Sequence, residues 1–285
     1  MTAIQAKPRV LHAEDAAAVR SLVALDPVLH CVLDARLQVA PDLNPQRLGG
    51  FVWGLADGTD RPALRAAVFH GGNLLPVGED LAALELIATQ LARTGRGCAS
   101  IVGPVAAVEV MWQVLADSWG PARAIRRRQP LLSTSRPGAV RPDPAVRLVR
   151  PAELNRFLPA AVAMFTEELD ISPVGRDAGH AYRHRVAELI RAGRAFVRFD
   201  QRGEVMFKAE VGALSPATAQ VQGVWVRPDL RGRGIGTAAM AAVLHHALAM
   251  APTVSLYAND YNLAGRRMYD RLGMREHAML STVLF

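Results

Sequence analysis

Apolar and polar positions along this chain follow two periods that take turns. Runs of β-branched and aromatic residues alternating with polar ones predict strands, and apolar residues spaced three and four apart predict helices. In the C-terminal half the pattern predicts a strand at residues 147–150 and helices at 152–169 and 182–192, the second ended by Gly193. A hairpin follows at 195–200 and 205–213, turning on Gln201, Arg202 and Gly203. Next come a strand at 219–226, an apolar helix at 234–250, a strand at 254–257, a helix at 262–272 and a closing strand at 276–285.

The N-terminal half has a similar order. Strands are expected at 9–12, 51–55, 63–69, 73–77, 99–102 and 124–132, with helices from about Asp15 and at 79–93 and 105–119. Both halves open alike, on Arg9-Val10-Leu11 and Arg147-Leu148-Val149. The fold expected is α/β, as an α+β mixed sheet: two copies of one unit matched in pattern rather than in sequence. Between them, Pro137, Pro142 and Pro144 lie within a Ser- and Gly-rich stretch that continues neither a helix nor a central strand. The expected domains are therefore 1–135 and 147–285, joined by a linker at 136–146.

Composition narrows the class. Of 285 residues, 51% are hydrophobic and 21% charged, which suits a core-forming chain and excludes a disordered one. Cys31 and Cys98 are the only cysteines, too few for a disulfide framework or a thiolate metal site. The first residues, Met1 to Pro8, lack the apolar segment of a secretory signal, and no uncharged stretch has the length of a membrane span. A cytoplasmic protein without membrane contact is expected. Net charge is +7, nearly all from arginine, since Lys7 and Lys208 are the only lysines. The arginines are scattered among acids, which argues against a nucleic-acid surface. Arg126, Arg127 and Arg128 read as the polar part of a strand. His180 and His184 lie four apart without an evident third ligand, so no metal is expected.

The chemistry concentrates where residues 224–226, Val224-Trp225-Val226, run through Pro228 into Arg231-Gly232-Arg233-Gly234-Ile235-Gly236 and then a helix. Glycines admit positive φ and close ligand approach. Successive N–H groups of such a turn, with the positive end of the following helix, make an anion cradle. Arg231 and Arg233 add permanent charge shaped for phosphate. The bland reading is a glycine-rich strand-to-helix turn. A dinucleotide fingerprint fits poorly, because the strand at 254–257 ends in Ala258-Asn259 rather than an acid. A Walker loop is excluded, for no Gly-Lys-Ser/Thr follows.

This stretch resembles the acetyl-CoA motif of GNAT acetyltransferases, R/Q-x-x-G-x-G/A after a strand ending near V-x-P. Arg231, Gly234 and Gly236 take the motif positions, with Val226 and Pro228 ahead of them. A second motif of that family, in its last helix, fits Asn262, Gly265, Tyr269, Gly273 and Met274. The resemblance covers residues 147–285. The first half resembles the N-terminal domain of unknown function fused to such acetyltransferases in actinobacteria, a degenerate GNAT copy. Where its cradle is expected it has Gly71-Gly72-Asn73-Leu74-Leu75-Pro76, without the arginine–glycine motif.

The resemblance implies an acetyl-CoA-dependent N-acetyltransferase moving acetyl directly to an amine, of a small molecule or of a protein or peptide, with acetyl-CoA as co-substrate. The alternative is a non-catalytic acyl-CoA-binding regulatory module. The implied cofactor contacts are Val224, Trp225, Val226, Arg231, Gly232, Arg233, Gly234, Ile235, Gly236, Thr237, Asn259, Asn262 and Tyr269. Asn262 and Tyr269 are seven apart and share a helix face; Asn262 also suits an N-cap without ligand contact. Tyr269 is implied as the acid for the leaving thiolate, against a structural buried tyrosine. For the base, Met206, Lys208 and Glu210 share a strand face, and Glu210 near Gln222 can accept the amine proton. The competing reading is a surface Lys208–Glu210 pair. Glu167, Glu168 and Asp170 end a helix where the resemblance places the acceptor pocket, and otherwise read as a solvated acidic end. Cys98, without an obvious histidine partner, gives no support to a covalent enzyme intermediate.

Overall fold

The computed structural model describes residues 7–57, 63–175 and 179–285. The signal-peptide reading rests partly on Met1 to Ala6, which lie outside the described residues.

The chain forms two compact units. The first contains β1 (Arg9–Val10), α1 (Ala16–Val23), α2 (Cys31–Val39), α3 (Pro45–Leu48), β2 (Gly50–Ala56), β3 (Leu64–Gly71), β4 (Leu74–Val77), α4 (Leu81–Leu91), β5 (Ser100–Pro104), α5 (Val105–Trp119) and, up to Leu131, β6 (Ala124–Thr134). Strands β1 to β4 are an antiparallel meander, and β4 continues to β5 in parallel. On one side of the sheet, Val19, Leu22, Leu33 and Leu37 pack on Val52 and Phe69. On the other, Leu84, Ile87, Met111 and Leu115 cover Val68, Leu74 and Ile101. Helices α2 and α3 are not foreseen by periodicity. The second is one turn long, held by local chemistry: Asn44 accepts from the N–H groups of Gln46 and Arg47, Pro45 opens the helix, and Gly49 closes it at φ 76°.

The second unit contains β7 (Arg147–Leu148), α6 (Leu154–Leu169), α7 (His180–Arg191), β8 (Ala195–Phe199), β9 (Val205–Leu214), β10 (Thr218–Val226), α8 (Ile235–Leu248), β11 (Thr253–Tyr257) and α9 (Leu263–Arg271). The strands lie in the order β7-β8-β9-β10-β11, antiparallel except for the parallel β10–β11 pair. Phe157, Ala161, Val186 and Ile190 of α6 and α7 pack on Val197, Val205 and Trp225. Residues Ala239 to Leu244 of α8 are all buried, as expected of a helix apolar all round. Both units are therefore mixed α/β, with the same β-meander, crossover helix and parallel strand.

The units do not follow the expected domain limits. The closing strand β12 (Arg275–Leu284) pairs antiparallel with β5 from Leu280 opposite Pro104 to Leu284 opposite Ser100, and Val283 enters the first unit's core. Residues Tyr257–Tyr261 and Glu276–Phe285 thus belong with the first unit. The expected linker is likewise packed rather than free, because residues from Leu132 onward belong to the second unit. Asp143 there is buried, donates its N–H to the Ala238 carbonyl and meets Arg198 at 2.6 Å.

The counterpart of the cradle in the first unit also lies elsewhere than expected. Gly71 to Asn73 turn the β3–β4 hairpin; the strand-to-helix junction is Gly78-Glu79-Asp80. There the Asp80 carboxylate accepts from the Ala83 N–H at 2.9 Å and from Arg65 Nε at 2.8 Å. A side-chain anion thus occupies the position at the helix start that a phosphate would need.

Candidate functional site

In the second unit, β10 is irregular on both edges. Toward β9, Gln222 faces Glu210 and Trp225 faces Lys208, so Gly223 and Val224 together oppose the single residue Ala209. This is a β-bulge, and Gly223 accommodates it at φ 58°. Toward β11 the ladder holds only from Thr218 to Gln220. Beyond it, residues 221–226 have no ladder partner toward β11 among the described residues, so the pairing of the two strands ends there.

The strand then enters a short 3-10 turn, Pro228–Leu230, followed by the glycine segment. Gly232 and Gly234 sit at φ 76° and 79°, with open space where a Cβ would stand. Gly236 serves a different purpose: a Cβ there would lie 3.0 Å from Val226 Cγ2 and 3.4 Å from Met268 Sδ, so its small size lets α8 close on β10 and α9. Helix α8 starts at Ile235 without a side-chain cap. Between Arg231, whose N–H reaches Pro228, and Thr237, whose N–H reaches Gly234, no N–H of residues 232–236 donates to another backbone carbonyl among the described residues. Five N–H groups at a helix N-terminus are thereby left for an anion. Arg233 is exposed and has no ion pair among the described residues.

Arg231 is differently placed. Its Nε donates to the Val226 carbonyl at 2.9 Å, and its Nη2 donates to Glu167 Oε2 at 2.6 Å. The other oxygen of Glu167 accepts from the buried indole of Trp225 at 3.0 Å. Glu167 is thus an exposed acid that also bridges α6 and the end of β10.

Lys208 and Glu210 are buried, which overturns the surface-pair reading. The Lys208 side chain is fully buried, its Nζ 2.7 Å from Glu210 Oε1 and 5.5 Å from the centre of the Phe157 ring. Both groups face the bulge: a Cβ at Gly223 would lie 3.0 Å from Lys208 Nζ and 3.5 Å from Glu210 Oε2. The Tyr182 hydroxyl donates to the Ala161 carbonyl at 2.9 Å. Burial, with the Glu210 charge second, pushes its pKa far above the ordinary phenol range.

Tyr269 is buried on α9, next to Met268, which packs at the cradle. Burial, then the charge of Glu168, holds its hydroxyl protonated well past the usual phenol range. Asn262 caps α9, accepting from the Gly265 N–H at 3.0 Å. Of the expected cofactor contacts, Asn259 alone belongs to the first unit, where it accepts from Gln129 Nε2 at 2.9 Å. The others lie in the second.

Sequence reasoning missed the roles of Glu167 and Gly223. A glycine inside a strand pattern signals a bulge, so Gly223 was findable; the Glu167 bridge spans 58 residues to Trp225 and has no local signature. Other candidates lead elsewhere. Cys98 is buried, its thiol pushed up to about 11 by burial. Among the described residues no three His, Cys, Asp or Glu side chains are grouped to hold a metal, and no helix is long and apolar enough to cross a membrane.

Comparison with known proteins finds a family match in each half of the chain. Residues 163–274 match the acetyltransferase (GNAT) family, and residues 50–157 match a domain of unknown function, DUF4081. Among curated proteins there is no match. Several solved structures share the fold over the whole chain. A GNAT-family acetyltransferase from Colwellia psychrerythraea is 13% identical, with 98% of this chain and 99% of that one aligned at a TM-score of 0.58. A Drosophila protein is 12% identical over 98% and 99%, at 0.64. A tandem GNAT protein from the clavulanic acid biosynthesis pathway is 15% identical over 98% of both chains, at 0.52.

Proposed function

We propose that residues 163–274, which match the acetyltransferase (GNAT) family, act as an acetyltransferase domain, and that the second unit binds acetyl-CoA and transfers its acetyl group directly to an amine. The observation that carries this reading is the pairing of a strand edge past the end of its ladder with an open N–H cradle. Residues 221–226 of β10 offer backbone groups to an extended pantetheine chain, in the manner of an added strand. Where that strand ends, the N–H groups of residues 232–236 and the guanidinium of Arg233 receive the pyrophosphate.

When bound, acetyl-CoA supplies an acetyl thioester whose C–S bond breaks as the acceptor nitrogen forms an amide. Tyr269 carries the proton for the departing sulfur: its buried hydroxyl stays protonated at every physiological pH. Glu210 receives the proton lost by the amine at Oε2, the oxygen turned toward the bulge, while Lys208 balances its charge at Oε1. Direct transfer needs no protein nucleophile; of the two thiols, both are buried, and that of Cys98 resists ionisation. The acceptor is a small-molecule amine or an amine of a protein or peptide.

Calorimetric titration of acetyl-CoA into the wild type and into a Gly234→Asp, Gly236→Asp variant tests the reading. Binding that the variant abolishes is the expected result, because a carboxylate then enters the anion cradle and a side chain strains φ 79°. A folded wild type that binds no acetyl-CoA overturns it.

A further inference from the structure

The two arginines of the cradle differ in what holds them. Arg233 is exposed without an ion pair among the described residues, whereas Arg231 is bound at two points. Its Nε closes on the Val226 carbonyl at 2.9 Å, fixing the loop to the last residue of β10. Its Nη2 takes one oxygen of Glu167 at 2.6 Å while the Trp225 indole takes the other at 3.0 Å. Trp225 is also the residue at which β10 regains register with β9 after the bulge. A single carboxylate on the last turn of α6 therefore ties three things together: the bulged strand, the glycine loop and the helix whose Met164 and Phe157 lie over the bulge and Lys208.

Resting on the acetyl-CoA reading above, we infer that Glu167 is a positioning residue for cofactor binding. Through Arg231 and Trp225 it holds the loop and the strand end in the geometry that pyrophosphate and pantetheine require. Arg231 acts as the loop's anchor, and direct contact with phosphate falls to Arg233 and the backbone N–H groups.

The sign of one measurement separates this from its rivals. Glu167→Gln removes a negative charge beside a polyanion site, and that change alone favours anion binding. It would equally release Arg231 toward phosphate if Arg231 were a direct ligand held in check. Both alternatives predict tighter binding of acetyl-CoA; positioning predicts weaker binding. The expected result in calorimetry is a roughly fivefold higher Kd for Glu167→Gln, which corresponds to about 1 kcal/mol. A comparable loss is expected for Arg231→Gln, and the double variant is no worse than the worse single one, because both break the same bridge.

In steady-state assays the KM for acetyl-CoA rises while kcat at saturation is kept, a split that general destabilisation does not produce. Wild-type binding with unchanged or tighter binding in Glu167→Gln overturns this inference alone, as does simple addition in the double variant. Absence of binding by folded wild type overturns the acetyl-CoA reading from which it starts.

Discussion

Nζ of Lys208 lies 2.7 Å from Oε1 of Glu210, with the lysine side chain wholly buried and the glutamate nearly so, beneath the bulge at Gly223. Two residues apart on one strand, they place opposite charges on the same face. Such a pair is costly to break, since removing one partner leaves the other charge buried without compensation. Lys208→Met is expected to destabilise the protein by about 3 kcal/mol. Adding Glu210→Leu to it recovers most of that loss, because the uncompensated charge is gone. Urea denaturation of the single and double variants checks both. Equal midpoints for Lys208→Met and wild type would show that the pair is not buried in solution.

Tyr269→Phe removes the proton proposed for the leaving sulfur and little else, since the ring fills the same space. The expected effect is a fall in kcat of about 100-fold with the KM for acetyl-CoA unchanged. Burial holds the hydroxyl protonated beyond the ordinary phenol range, so the wild-type rate has no alkaline loss attributable to Tyr269 up to roughly pH 10. A Tyr269→Phe enzyme with wild-type kcat returns the residue to a structural role and favours a non-catalytic acyl-CoA-binding module.

His30 makes the first unit sensitive to acid. Burial, opposed by the smaller effect of Asp26, pushes its imidazole down to about 4. An unfolded chain takes up that proton near pH 6.5, while the folded one refuses it until about pH 4. Between these values the unfolded state binds more protons, so stability falls as the pH falls. The contribution is complete above pH 6.5 and lost by pH 4, with a total of about 3 kcal/mol. Urea midpoints measured from pH 7.5 to 4.5 check the slope, and His30→Gln flattens it.

The last strand stabilises the first unit rather than the second. Val283 is buried in the first unit's core, and Leu280 and Leu284 sit opposite Pro104 and Ser100 of β5. Val283→Ala is expected to cost roughly 2 kcal/mol. Hydrogen exchange locates the loss: amides of β5 and β12 lose protection, while those of β9 and β10 keep theirs. Loss confined to β9 and β10 would assign the strand to the other unit.

Much of this protein is determined locally and is therefore legible in its sequence. Nearly every strand and helix of the second unit falls within a few residues of its pattern, because period and turn chemistry act over one or two turns of chain. The glycine cradle belongs to this class as well: Gly232 and Gly234 carry the positive φ that the motif implies, and the N–H groups between Arg231 and Thr237 stay open. Helix α3 escaped only because four residues cannot display a period. What tertiary structure decided depends on contacts between distant segments, for which the chain has no local marker. Lys208 and Glu210 read equally well as a surface pair until α6 and α7 cover them. Glu167 reads as an unpartnered acid until folding brings Trp225 and Arg231 to its two oxygens, where it stays exposed. The closing strand joins the first unit because its pairing partner, β5, lies some 180 residues away, and alternation specifies that a strand has a buried face but not which sheet buries it.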